Sequence, residues 1–111
     1  MIIESEKVED VLLGRDLKLT VSIDPINGKT MKDFDFKVEA FTRGKAVVIE
    51  KSAATPIDES NYSFILHSRL VGVGRLKLIV TAYIPDTDSD TMFREEPVLL
   101  DPKINIVDIK R

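Results

Sequence analysis

The 111-residue chain has no cysteine, no tryptophan and a single histidine, His67. Without cysteine it cannot form a disulfide, a thiolate metal site or a cysteine nucleophile. One imidazole excludes a multi-histidine metal site and leaves at most one histidine for acid–base chemistry. Small secreted domains often depend on disulfides, so the missing cysteines favour an intracellular compartment, although only weakly.

Long apolar runs are also missing. No stretch approaches the roughly 20 residues that a membrane-spanning helix needs. Glu4 and Glu6 interrupt the N-terminus before an apolar signal-peptide core can develop. The sequence therefore predicts neither a membrane anchor nor a signal peptide.

Excess positive charge is a further absence. Lys and Arg number 16 against 19 Asp and Glu, which gives a formal net charge of −3. No overall basic field attracts phosphate backbones, so we expect neither a nucleic-acid partner nor a membrane surface. The 43% hydrophobic and 32% charged composition is that of a globular protein, and the length predicts one domain over 1–111 with one core.

What the sequence does contain is period-two alternation. Apolar side chains occupy every second position in residues 17–23, 34–40, 62–66 and 76–82. This is the pattern of half-buried antiparallel strands, and helical periodicity is hard to find. With the shorter runs, seven or eight strands separated by turn signals predict an all-β antiparallel sandwich, with a small barrel as the alternative.

Turn and edge residues refine this prediction. Asn27-Gly28 predicts a tight turn, and Gly72 and Gly74 predict a bend where the chain enters a strand. Pro97 limits its strand to an edge, a strand end or a bulge. Residues 2–9 are interpreted as an edge strand and residues 52–60 as the place of a short helical turn.

The sharpest candidate for chemistry is an acidic loop with Asp86, Asp88 and Asp90 at alternate positions. These three match the first, third and fifth ligands of an EF-hand loop. The sixth position, however, is Thr91 instead of glycine, and the twelfth is Pro97 instead of glutamate. The EF-hand interpretation therefore fails.

A looser calcium site, built from two loops, could still combine the three aspartates with Glu95. The alternative is that aspartate and serine favour turns by hydrogen bonding to their own backbone. On that interpretation the loop is a charged, soluble connection. Asp86, Asp88 and Asp90 remain a calcium candidate that the turn interpretation outweighs.

Other motifs offer less. Gly72-x-Gly74 lacks the following helix that a dinucleotide site requires. Ser63 or Ser68 with His67 is the only route to a serine triad, and no Gly-x-Ser-x-Gly elbow is present. The sequence predicts no enzyme and no cofactor.

A carbohydrate platform is poorly supplied with aromatics. Four of the seven aromatic side chains are expected in the core. Only Phe41, Tyr83 and Phe93 remain for a surface.

Four stretches follow one another in the chain: "LGRDLKLTVSI", "MKDFDFKVEAFTRGKAVVIEK", "NYSFILHSRLVGVGRLKLIVTAYIPDTD" and "FREEPVLLDPKINIV". In this order they resemble a group of small proteins encoded by phages and integrated elements of gut bacteroidetes. Val71 departs from the pattern, where a small or polar residue is expected. The matching positions are Gly14, Asp16, Leu17, Met31, Asp33, Phe34, Phe36, Val38, Gly72, Gly74, Leu76, Ile84, Pro85, Asp86, Asp88, Asp90, Arg94 and Glu95.

More distantly, this group is similar to the immunoglobulin-like N-terminal domains of phage baseplate and tail-fibre proteins, which dock onto virion proteins and have no enzymatic activity. The resemblance implies an immunoglobulin-like β-sandwich acting as a structural or adaptor component of a tail, baseplate or head fibre. Other virion proteins, and further copies of the chain, are the expected partners. The expected location is the virion, or the host cytoplasm before assembly.

No binding residue is carried over from the group. The acidic loop is the candidate docking loop, with Asp86, Asp88, Asp90, Arg94 and Glu95. Arg94 is placed where it could pair with one of the aspartates. The alternative function is a bacterial surface module that recognises a glycan or protein through its loops, with or without calcium.

Overall fold

A computed structural model describes residues 8–44, 46–88 and 92–108. In these ranges the chain is all-β, as predicted, with ten short strands, two 3₁₀ turns and no α-helix. The 3₁₀ turns are Lys51–Ala53 and Ser68–Leu70. The strands are β1 (Glu9–Leu12), β2 (Asp16–Ser22), β3 (Asp35–Phe41), β4 (Ala46–Glu50), β5 (Thr55–Asp58), β6 (Asn61–His67), β7 (Gly74–Arg75), β8 (Lys77–Pro85), β9 (Phe93–Leu100) and β10 (Ile104–Val107).

The strands form three sheets with the orders β1-β10-β7, β2-β6-β5 and β4-β3-β8-β9. Every pairing is antiparallel except the parallel pair β1–β10. The described residues contain ten strands, where the sequence predicted seven or eight. Two differences account for this: one predicted strand is divided into β7 and β8, and β5 was not predicted at all.

The division between β7 and β8 falls at Leu76, two residues after Gly74. This glycine has φ 136°, and a Cβ there would lie 3.2 Å from the Thr42 Cβ. The next apolar residue, Leu76, donates its backbone N–H to the Ile104 carbonyl at 2.9 Å. The chain therefore leaves β10 and crosses to β3 and β9 at this point. The predicted bend at Gly72 and Gly74 is confirmed, since both have positive φ.

The core follows the predicted alternation. Phe36, Val38 and Ala40 of β3 are fully buried, opposite buried residues of β8. The Phe36 ring meets the Tyr62 ring of β6 edge to face, with centroids 5.1 Å apart. Because β3 and β6 belong to different sheets, this contact joins the four-stranded sheet β4-β3-β8-β9 to the sheet β2-β6-β5. The buried hydrophobic residues form one cluster.

The turn at Asn27-Gly28 is confirmed, with φ 52° and 77° at the two residues. Two positive φ angles are typical of a type I′ turn. The Ile26 and Lys29 backbones close it with hydrogen bonds of 2.8 and 2.9 Å. However, the turn does not join paired strands. It lies within the connection that carries the chain from β2 in one sheet to β3 in another.

The edges are largely as expected. Pro97 lies in β9, the outermost strand of the four-stranded sheet, as predicted. The helical turn comes at Lys51–Ala53, at the start of the predicted stretch, and β5 follows it. The edge strand predicted at residues 2–9 falls mostly on residues 1–7, which lie outside the described residues, and β1 begins only at Glu9, where the predicted strand ends. In β4, Val47 and Ile49 pack against the core.

Candidate docking surface

The acidic loop joins β8 to β9. Its ends are held together where the Asp86 backbone N–H donates to the Met92 carbonyl at 2.9 Å. Met92 has φ 66°, so the chain reverses direction there through a left-handed conformation. Asp90 lies outside the described residues.

Arg94 fixes the shape of this loop from the β9 side. The Asp86 Oδ1 accepts the backbone N–H of Asp88 at 2.9 Å, and its Oδ2 lies 3.5 Å from Arg94 Nη1. Arg94 Nε lies 2.8 Å from Glu96 Oε1. The pairing of Arg94 with one of the loop aspartates is therefore present. Exposed ion pairs contribute only about 0–1 kcal/mol each, so these contacts order the loop more than they stabilise the fold.

The loop supplies no described metal centre. Within residues 8–44, 46–88 and 92–108, no group of three or more histidine, cysteine or carboxylate side chains could hold a metal ion. Both carboxylate oxygens of Asp86 already have partners. Since Asp90 is not described, calcium binding by Asp86, Asp88 and Asp90 stays a prediction.

Strand β9 presents apolar side chains on both of its faces. Phe93 and Leu99 share the outer face with Glu95, and Leu99 is 64% exposed. Val98 belongs to the other face, opposite Val80, and is 54% exposed. The sequence indicated Phe93 as a surface aromatic, but Val98 and Leu99 were missed as candidates. The run Val98-Leu99-Leu100, which breaks the alternation directly after Pro97, is the signal that could have indicated them.

A groove lies between β9 and the end of β2, with a volume of about 190 Å³. Its floor is formed by Val80 and Ala82 of β8, and its apolar sides come from β9 and from the connection that follows β2. The charged residues that line it are both acidic. The lining residues are Ser22, Ile23, Asp24, Ile26, Val80, Ala82, Glu96, Val98 and Leu100.

An open depression of about 370 Å³ lies on the outer face of the four-stranded sheet. A hydrogen bond with the Tyr83 hydroxyl, reinforced by the charge of the Glu39 carboxylate, raises the pKa of Lys37 within it. Of the three surface aromatics considered for a sugar platform, Tyr83 and Phe93 line this depression and Phe41 does not. The lining residues are Asp35, Lys37, Glu50, Tyr83 and Phe93.

The residues of the possible serine triad, His67, Ser63 and Ser68, lie in different surroundings. His67 is exposed, and its Nδ1 lies 2.6 Å from Asp16 Oδ1. Ser68 is fully buried, and its hydroxyl accepts the Gly14 backbone N–H at 2.8 Å. Ser63 is buried in β6. Ser68 is therefore committed to holding the β1–β2 turn.

Among the described residues there is no helix long and apolar enough to cross a bilayer. No protein-family model, curated protein or solved structure matches the chain. The geometry of the chain itself must therefore carry the functional argument.

Proposed function

We propose that the protein is a non-enzymatic structural or adaptor module that acts through protein–protein contacts. The observation that carries this proposal is the exposed strand β9. It is the outermost strand of its sheet and leaves Phe93 and Leu99 exposed on one face and Val98 on the other, next to the acidic loop. Exposed apolar residues clustered on a surface with a polar rim are typical of protein-binding sites.

We further propose that the sheets form an immunoglobulin-like sandwich. The order β2-β6-β5 corresponds to strands B-E-D of that fold, and β4-β3-β8-β9 corresponds to C′-C-F-G. The edge-to-face contact of Phe36 with Tyr62 joins these two sheets across the core. The strand orders and this contact support the sandwich over a closed barrel, since both sheets have free outer strands.

The proposed setting is a phage or prophage virion, in a tail, baseplate or head fibre. This part rests on the sequence resemblance in residues 13–107. The position of Arg94 between Asp86 and Glu96 suits such a role, because side chains that are already held by ion pairs lose less conformational entropy when they dock.

The test is co-expression of the full chain with the products of the genes that flank it. We expect a stable complex with a capsid, portal or tail protein, measured by size-exclusion chromatography with light scattering. Leu99→Asp should weaken this complex or one formed by further copies of the chain. Ile65→Asp is the matched control, because Ile65 is an exposed apolar residue on β6, in the other sheet.

Flanking genes for polysaccharide utilisation or secretion, together with no complex, would overturn the virion role. A complex that forms with such products instead would favour the surface-module alternative.

A further inference from the structure

Val98 occupies an unusual position in β9. It lies directly opposite Val80, which is only 3% exposed, yet Val98 itself is 54% exposed. Leu100 and Glu96 share this face of the strand and are half-buried. Strand β9 therefore has an apolar face on the core side of its sheet, and no described residue covers Val98 there.

The uncovered face is part of a longer depression. The groove of about 190 Å³ shares Ser22 and Leu100 with a second depression of about 320 Å³ that extends beside Thr20 and Pro102. The first groove is smaller than the roughly 300–1,000 Å³ of pockets for drug-sized ligands. A narrow, elongated apolar channel suits the alternate side chains of an extended peptide better than one compact ligand.

Backbone groups are available on one side of this channel. Among the described strands, β2 is the outermost of its sheet and pairs only with β6. On the other side, Pro97 lacks the N–H that β9 would need for a continuous ladder. An added strand would therefore pair with β2 and direct alternate side chains into the channel, which is recognition by strand addition.

The charges favour a basic occupant. Asp24 and Glu96 are the charged residues of the smaller groove. Glu96 is paired with Arg94, but Asp24 has no ion-pair partner among the described residues. A lysine or arginine of the occupant would complement Asp24.

We propose that this channel binds an extended segment of a partner protein, with apolar side chains at alternate positions and a lysine or arginine beside Asp24. The inference rests on the proposed protein-binding function and names the site and the chemistry of the partner. The chain's own residues 1–7 fit less well, because they carry Glu4 and Glu6 against one lysine. A second copy would bring another acidic rim to this one.

The probe is a capped nine-residue peptide that alternates valine with lysine and threonine, added to the ¹⁵N-labelled full chain. We expect amide shift changes confined to β2, β9 and the turn at Ile26. Val98→Asp and Asp24→Lys should each weaken binding by about tenfold or more. Ile65→Asp, at a residue of similar exposure on β6, should leave binding unchanged.

A second peptide with glutamate in place of lysine tests the charge argument. Asp24→Lys should bind this peptide better than the unmodified chain does. Equal binding of both peptides to both proteins, shift changes elsewhere, or no binding would overturn the proposal. Methyl contacts of Ile2 or Ile3 with Val98 in the free chain would also overturn it, because they would show that the chain's own N-terminus fills the channel. A dimer that Val98→Asp dissociates would overturn it as well, because a second copy would then be the occupant.

The two proposals fail separately. If the peptide does not bind but a complex with a flanking gene product survives Val98→Asp, the channel inference is wrong and the adaptor function stands. If the peptide binds as expected but no flanking product forms a complex, the channel inference stands and the virion role is wrong.

Discussion

Replacement of Phe36 by alanine tests how the sheet β4-β3-β8-β9 packs against the sheet β2-β6-β5. Phe36 is fully buried in β3, and its ring meets Tyr62 of β6 edge to face at 5.1 Å. Truncating a buried phenylalanine to alanine costs about 3–5 kcal/mol, through lost burial and the cavity left behind. A domain of this size has a free energy of unfolding of roughly 5–15 kcal/mol. The variant should therefore fold but lose a large part of its stability.

The measurement is urea denaturation followed by far-ultraviolet circular dichroism, fitted to two states. We expect a lower midpoint with an unchanged slope, because the surface exposed on unfolding is nearly the same. Leu99→Ala is the control, since this side chain is 64% exposed and should change stability by less than about 0.5 kcal/mol.

A double-mutant cycle makes the test specific to the contact between sheets. Phe36→Leu and Tyr62→Leu, alone and together, should give a coupling free energy of about 0.5–1.5 kcal/mol, which is typical of an aromatic pair. Zero coupling, or a cost below about 1 kcal/mol for Phe36→Ala, would refute this packing of the two sheets.

Four further predictions follow from individual contacts. Lys51→Met should lower the free energy of unfolding, measured by urea denaturation, by about 1–3 kcal/mol, because Lys51 Nζ donates to the Lys32 and Phe34 carbonyls at 3.2 and 2.9 Å. Lys18→Met, at an exposed lysine, is the control, and equal effects of the two changes would contradict the role of these hydrogen bonds. Ser68→Ala should lower the free energy of unfolding by about 1–3 kcal/mol, because it leaves the Gly14 backbone N–H without its acceptor. Ser52 is exposed, so Ser52→Ala should leave the free energy of unfolding unchanged. The Lys103 backbone N–H and the Arg75 guanidinium lower the pKa of Asp101 to about 2, so this carboxylate stabilises the fold above its usual pKa of 3.8, and that contribution is lost as pH falls towards 2. Asp101→Asn should therefore flatten the fall in melting temperature between about pH 4 and pH 2, and a parallel fall in both proteins would count against it. Finally, calcium and a chelator should give the same melting temperature, because Asp86 is already engaged by Asp88 and Arg94; a rise with calcium would restore the metal interpretation of the loop.

The alternation in residues 34–40 was sufficient to predict β3, because each apolar residue there faces a continuous core and each polar residue faces outwards. Strand β5 was not predictable in this way. Its four residues are all exposed, so burial imposes no alternation on them. The strand exists because it pairs with β6, and that pairing is a tertiary contact.

In the candidate docking surface, too, the sequence predicted a local contact but not a feature that depends on tertiary contacts. The spacing of Asp86 and Arg94 allowed a pairing across the loop to be predicted, since a short hairpin brings its two ends together. The exposure of Val98 could not be predicted, because the run Val98-Leu99-Leu100 does not alternate and so does not show which face of the strand is covered. It depends on whether another element covers the gap between β2 and β9.

The sequence by itself determined the all-β class, the faces of the regular strands, the turn at Asn27-Gly28 and the exclusion of Pro97 from the middle of a central strand. These follow from local chemistry: period-two burial, positive φ and a missing N–H. Only the tertiary structure decided which strands pair, the parallel contact of β1 with β10, the break between β7 and β8 at Leu76 and the channel beside Asp24. Each of these requires residues far apart in the chain to meet, and no local pattern specifies which distant strand will be the neighbour.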